Sequence, residues 1–219
     1  MDIKYKIKEV KPHIFSVVVK NDYDRAMLFL RVQEYYESPN PKFRGKSFDI
    51  WDYMKWYSKE YERGFTYGVD WSGFNIPLEI AYNCYDKHYD TYTPYDEIME
   101  KIVFNIYEMN GDDCNGYIIG SENTSGSTFK HEVCHGLYHT NNEYKKLANK
   151  NVKLLPKEHY AIFKNNLLEM GYTNKVIDDE IQAYLMYGWE SHKFGGGVPM
   201  EVREMYNSWF EDDLEKFIK

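Results

Sequence analysis

The sequence predicts an α+β protein, mainly helical, with short strands that form a small mixed sheet. Three observations support this class. Apolar residues recur at helical spacing through much of the chain, two short apolar runs predict strands, and no internal repeat or heptad run occurs. A chain of 219 residues is long enough to bury its own core. We expect one domain, 1–219, with a candidate boundary between an N-terminal subdomain, 1–92, and a C-terminal subdomain, 93–219.

In the first half of the chain, the apolar run 13–20 predicts a strand. Helices are predicted where a capping residue precedes an apolar periodicity. The clearest begins with Thr93 as N-cap and Pro94 in the first position, and its apolar residues follow an i, i+3, i+4, i+7 pattern that ends before Gly111. One further predicted helix runs from a cap at Asn21 or Asp22 to about Glu37. Two others run from a cap at Ser47 through Tyr61 and from Pro77 in the first position through Tyr85, and the segment 64–73 is predicted to be loop or short strand.

In the second half, the segment GYIIG at 116–120 predicts a strand, and a loop rich in Ser, Thr, Asn and Gly follows it. The rest is predicted to be helical, at about 128–140, 156–170, 173–190 and 199–218. The three glycines 195–197 lack the strand-then-helix setting of a nucleotide-binding loop, so we interpret them as a turn.

The charge balance disfavours nucleic acid as a partner. The chain has 27 Lys and Arg against 35 Asp and Glu, a net charge of −8, whereas binding to a phosphate backbone depends on Lys and Arg. The longest apolar run is far shorter than the roughly 20 residues that cross a bilayer, and no secretory signal is visible. Three cysteines without CxxC spacing are typical of a reducing compartment. We therefore expect a soluble cytoplasmic protein that binds no membrane, and its oligomeric state stays open.

Residues 131–135 read His-Glu-Val-Cys-His, an HExxH motif. On a helix, residues four apart lie about 40° apart around the axis, so the imidazoles of His131 and His135 can bind one metal ion. Zinc suits neutral imidazole ligands in tetrahedral geometry. Glu132 lies on the same side, where it can reach a metal-bound water without ligating the metal. The opposite side of this helix is apolar and would anchor it on the core; it carries Phe129, Val133 and Leu137.

A catalytic zinc site needs a third protein ligand and keeps its fourth position for water. Glu180 is the strongest candidate, because it projects from the middle of an apolar stripe on a predicted helix. A carboxylate that points inward must be paired, protonated or bound to a metal. Asp178 and Asp179 are predicted to lie on solvated sides of the same helix. The weaker candidates for the third ligand are His139, Glu143 and Cys114.

HEVCH, followed 45 residues after His135 by Glu180 in the segment DDEIQAYL, resembles the gluzincin branch of zinc metallopeptidases. The resemblance covers roughly residues 116–190. It implies a zincin-like fold with the HExxH motif on the active-site helix, Zn²⁺ bound by His131, His135 and Glu180, and hydrolysis of peptide bonds in a peptide or protein substrate. Many gluzincins carry an Asp four residues after the ligand Glu, where this chain has Tyr184, so the usual second-shell support of a histidine is not predicted.

With zinc bound, Glu132 would take a proton from the metal-bound water and pass it to the leaving amine. The oxyanion that develops needs a further donor, for which the candidates are Tyr172, Tyr184 and the substrate-facing His139. By the resemblance, the strand that contains Tyr117 and Ile118 would border the cleft and pair with an extended substrate. Two alternatives stay open: a catalytically inactive zinc-binding or interaction domain, and a metal-free binding module.

Overall fold

The computed structural model describes residues 3–71, 73–87 and 89–219, which form two compact units that divide between Thr124 and Ser125. Helices account for 60% of the chain, and the strands form one small mixed sheet. The predicted α+β class with helices in the majority is therefore confirmed.

The first unit contains a four-stranded sheet and five helices within its described residues. The strands are β1 (Lys6–Lys11), β2 (Ile14–Val18), β3 (Phe74–Pro77) and β4 (Tyr117–Ser121). The helices are α1 (Asp22–Glu37), α2 (Ile50–Glu60), α3 (Tyr67–Asp70), α4 (Leu78–Tyr85) and α5 (Pro94–Met109). The strand order is β1-β2-β4-β3, in which β2 and β4 are parallel and the other two pairs are antiparallel. Ser72, in the predicted loop 64–73, lies outside the described residues.

The two central strands are the apolar runs that the sequence marks as strands. Phe15 and Val17 of β2 and Ile118 of β4 are fully buried, as expected of strands inside a sheet that is covered by helices. Helix α1 packs closely on β4, where a Cβ atom on Gly120 would lie 2.6 Å from the ring of Phe29. The glycine is therefore required for this approach of helix to strand.

The position of β4 explains where the first unit ends. The candidate boundary between the predicted subdomains lies at 92/93, whereas the two units divide between Thr124 and Ser125. Helix α5 packs on α1 and α4, and β4 pairs with β2 and β3, so both elements belong to the first unit. Strand pairing between distant segments, which local composition does not reveal, decides this boundary.

The second unit, described throughout, is helical. Its helices are α6 (Gly126–Thr140), α7 (Asn142–Leu154), α8 (Lys157–Glu169), α9 (Ile177–Met186), α10 (His192–Gly195) and α11 (Met200–Ile218). Helix α9 is central, since α6, α7, α8 and α11 all pack against it. It is shorter than the predicted helix 173–190, and α7 was not predicted. Among the described residues, no helix is both long enough and apolar enough to cross a membrane.

Helices α6 and α7 meet at Asn141. Its backbone N–H donates to the carbonyl of Leu137 at 2.8 Å, which ends α6. Its side-chain oxygen accepts from the backbone N–H groups of Glu143 and Tyr144, at 3.0 Å each, which caps α7. The residue that stops one helix thus starts the next, and α7 brings Tyr144 into the core of the unit.

Candidate metal site

Helix α6 presents the HExxH motif on the side that faces the interior of the second unit. His135 is buried, while His131 and Glu132 are half-buried. The three apolar residues predicted on its other side, Phe129, Val133 and Leu137, are all buried. The prediction that this apolar side anchors the helix on the core is confirmed.

The side chains of His131, His135 and Glu180 converge from α6 and α9. The Nε2 atoms of the two histidines are 3.2 Å apart, and Glu180 Oε2 lies 3.8 Å from Nε2 of His135. One ligand atom from each of the three residues lies within 4.8 Å of the others, and no second group of this kind occurs in the described part of the chain. The predicted meeting of Glu180 with the two histidines is confirmed, and the group can hold a metal ion.

Hydrogen bonds fix the second ring nitrogen of each histidine. Nδ1 of His131 donates to the carbonyl of Tyr187 at 3.0 Å, and Nδ1 of His135 donates to Asp179 Oδ1 at 3.0 Å. A carbonyl or a carboxylate can only accept, so Nδ1 carries the hydrogen in both rings. In the neutral rings the lone pair is therefore on Nε2, and both Nε2 atoms face the same point, as metal ligation requires.

Asp179 corrects the prediction that it lies on a solvated side of α9. Its side chain is only 24% exposed, and its Oδ1 accepts from His135 and from Gln182 Nε2, the latter at 2.9 Å. Asp179 projects from α9 about 100° around the axis from Glu180. This side of α9 faces α6, because α9 is surrounded by other helices. Asp178 is also half-buried, and it accepts from the hydroxyl of Tyr160 at 2.9 Å.

The surrounding charges separate the pKa values of the two histidines. Burial, followed by the nearby His135, lowers the pKa of His131. Burial also acts to lower the pKa of His135, but the carboxylates of Asp179 and Glu180 outweigh it, so that this pKa is raised. A divalent cation at this point would be ligated by the unprotonated Nε2 atoms of both rings.

Two tyrosines lie beside the converging group. The ring of Tyr184 stands edge-on to His131, with centroids 4.8 Å apart, and stacks on Phe194 at 4.6 Å. Burial and then the charge of Glu180 raise the pKa of Tyr172, and burial and the same carboxylate raise the pKa of Tyr184. Both hydroxyls therefore stay protonated at neutral pH and can donate hydrogen bonds.

The carboxylate of Glu132 lies close enough to act on the same residues. Its charge contributes to the raised pKa values of His135, Tyr172 and Tyr184. The converging group, the two tyrosines and Glu132 thus share one region of the second unit. The catalytic roles of Glu132, Tyr172 and Tyr184 stay predictions.

The weaker candidates for the third ligand are outside the converging group. His139 is exposed in the last turn of α6, and Glu143 is exposed on α7, with its Oε1 3.6 Å from Nζ of Lys216. Cys114 belongs to the first unit. Contact of His139 with a substrate stays a prediction.

Tyr117 and Ile118 lie in β4, which pairs with β2 on one side and β3 on the other. Both residues are buried, and the hydroxyl of Tyr117 donates to Asn75 Oδ1 at 2.6 Å. Contrary to the expectation from the resemblance, β4 therefore has no open edge to which an extended substrate could add. Contact of these two side chains with a substrate stays a prediction.

The structure also shows residues that the sequence did not point to. Gln182, fully buried, lies between Asp179 and the hydroxyl of Tyr144, which donates to Gln182 Oε1 at 2.7 Å. Gln182 is about 200° from Glu180 around α9, outside the apolar stripe that identified the ligand. Local periodicity gives no signal for it.

No protein-family model, no curated protein and no solved structure matches this chain. Fold and site together define a mainly helical α+β protein with a His/His/Glu group that can hold a metal ion. Its function is therefore inferred from the geometry of this group.

Proposed function

We propose that the chain is a zinc-dependent metallopeptidase of the gluzincin type, which hydrolyses peptide bonds in a peptide or protein substrate. The convergence of two imidazole Nε2 atoms and one carboxylate supports this proposal. Two nitrogen ligands and one oxygen ligand are a known ligand set of catalytic zinc sites, which leaves one coordination position for water or substrate. Both Nδ1 atoms are engaged elsewhere, so the Nε2 atoms are the natural ligands.

Zinc at this group would lower the pKa of a water molecule and polarise the carbonyl of the substrate. Residues of the protein carry out the proton transfers and stabilise the oxyanion. Glu132, next to His131 on α6, takes the proton from the attacking water and delivers it to the leaving amine. The protonated hydroxyls of Tyr172 and Tyr184 donate hydrogen bonds to the developing oxyanion.

Replacing Glu132 by Gln tests this proposal. The variant keeps the size of the side chain but removes the base, so peptide hydrolysis should fall by about 10²–10⁴-fold. Its zinc content should equal that of the wild type, because Glu132 is outside the converging group. The measurements are turnover of casein or a fluorogenic peptide library and elemental analysis after zinc loading. Glu143→Gln is the matched control, since it changes an exposed glutamate of the same unit, and should keep full activity.

Three outcomes separate the proposal from its alternatives. Zinc bound stoichiometrically without hydrolysis of any peptide would favour the inactive zinc-binding domain. If the wild type binds no more zinc than the His135→Ala variant does, the metal-free binding module would be favoured. Undiminished hydrolysis by Glu132→Gln would show that another group is the base.

A further inference from the structure

A buried chain of hydrogen bonds extends from His135 away from the metal-ligand group. Asp179 Oδ1 accepts from Nδ1 of His135 at 3.0 Å and from Nε2 of Gln182 at 2.9 Å. Gln182 Oε1 in turn accepts from the hydroxyl of Tyr144 at 2.7 Å. Gln182 and Tyr144 are both 0% exposed. The chain therefore joins α6, α9 and α7 through side chains of which only Asp179, 24% exposed, has appreciable access to water.

The chemistry of the chain fixes the orientation of the Gln182 amide. Asp179 can only accept, so the NH₂ group of Gln182 must face it. A flipped amide would place its oxygen against the carboxylate oxygen of Asp179, and two acceptors cannot form a hydrogen bond with each other. The hydroxyl of Tyr144 occupies the other end and donates to the amide oxygen. Gln182 is thus held in one orientation, and it holds Asp179 in one rotamer.

We propose that Gln182 and Tyr144 are positioning residues for the metal site. They hold Asp179 so that its Oδ1 fixes the ring of His135, and Nε2 of that ring then faces the point shared with the other two ligands. This inference rests on the proposed zinc site and adds to it residues that touch neither the metal ion nor the substrate. Position 184, where an acid would otherwise support a histidine, instead carries a tyrosine ring that packs on His131.

Two variants distinguish this role from simple filling of space. Gln182→Met keeps a side chain of similar length but has no N–H donor for Asp179. Tyr144→Phe removes only the hydroxyl that holds the amide, and it serves as the test if Gln182→Met does not fold. The matched control is Asn151→Leu, which removes another buried amide from α7 that lies outside this hydrogen-bond chain.

The first measurement is zinc affinity of the full chain, by competition with a chromogenic chelator. Partners that orient a metal ligand typically contribute about 10–100-fold to affinity. We expect Gln182→Met to bind zinc about tenfold more weakly, Tyr144→Phe to show a smaller loss in the same direction, and Asn151→Leu to bind as the wild type does. Zinc affinity within a factor of about two of the wild type in both test variants would overturn the proposal.

The second measurement needs no metal. When the protein is labelled with isotopes at histidine, the ring proton on Nδ1 of His135 should exchange slowly with water in the wild type. Both test variants should accelerate this exchange, whereas Asn151→Leu should not. An unchanged exchange rate in both test variants overturns the proposal even if their zinc affinity falls. If the wild type binds no zinc, the proposed function fails, and the exchange rates alone decide whether Gln182 and Tyr144 position His135.

Discussion

At the scale of single residues, the two buried glutamates of the described chain lie in different surroundings. Glu180, 8% exposed, lies beside His135 in the metal-ligand group. Glu34, 4% exposed on α1, accepts a hydrogen bond from the hydroxyl of Tyr67 at 3.0 Å. Burial raises the pKa of Glu34, although the hydroxyl groups around it act in the opposite direction. The charged form of Glu34 is therefore disfavoured in the folded protein.

Replacing Glu34 by Gln is expected to stabilise the first unit at neutral pH. Because the folded-state pKa lies above the ordinary value of 4.5, the folded protein loses stability as the pH rises from about that value through the raised pKa. Gln keeps the acceptor for Tyr67 and carries no charge at any pH. The melting temperature should rise by about 4 °C near neutral pH, which corresponds to about 1 kcal/mol.

The pH dependence checks the cause of this effect. Thermal melts should show the gain at about pH 8 and none at about pH 3.5, where Glu34 is protonated in both states. Glu37→Gln, an exposed change on the same helix, should leave the melting temperature unchanged at both values. A lower melting temperature of Glu34→Gln at about pH 8 would contradict the assigned role of the charge.

At the scale of elements, the sequence predicted a helix correctly where neighbouring residues form its cap. Helix α5 begins at Pro94, and the hydroxyl of Thr93 accepts from the N–H of Asp96 at 3.3 Å, as the capping pattern indicates. Helix α7 was not predicted, although its buried residues Tyr144, Ala148 and Val152 follow one another at a helical spacing of four. This narrow stripe packs against α6, α9 and α11.

Asn141→Ala tests whether a single cap defines the start of α7. The substitution removes the side-chain oxygen that accepts hydrogen bonds from the backbone N–H groups of Glu143 and Tyr144. We expect the free energy of unfolding to fall by about 1 kcal/mol. Urea unfolding followed by circular dichroism measures this cost. Asn141→Asp keeps the acceptor and should stay close to the wild type. Equal destabilisation by both variants would show that something other than the cap is responsible.

The metal-ligand group, too, could be predicted from the sequence only in part. The ligands were predictable, because the spacing of His131 and His135 is local and Glu180 stands out in an apolar stripe. Their hydrogen-bond partners were not predictable, since Asp179 was expected to be solvated and Gln182 lies outside the apolar stripe of α9. Helix α9 is enclosed by four other helices and therefore buries polar side chains on several faces. Those polar groups then become the hydrogen-bond partners of the ligands.

At the scale of the whole molecule, the chain forms two units, and each unit has its own buried apolar residues. The sheet and its aromatic core lie within residues 3–121. All three metal ligands, together with Asp179, Gln182 and Tyr144, lie within Ser125–Lys219. The free energy of metal binding should therefore act on the folding of the second unit.

Hydrogen exchange of the whole chain, with and without zinc, measures this distribution. Free zinc at about 100 times its dissociation constant stabilises the state that binds it by about 2.7 kcal/mol, which slows exchange by about 100-fold for amides that open only when that unit unfolds. We expect this slowing in α6 and α9 and little change in β2 and β4. The His135→Ala variant removes a ligand and should abolish the slowing. Equal slowing in the strands would show instead that both units unfold as one, because stabilisation of a single cooperative transition protects every amide that exchanges through it.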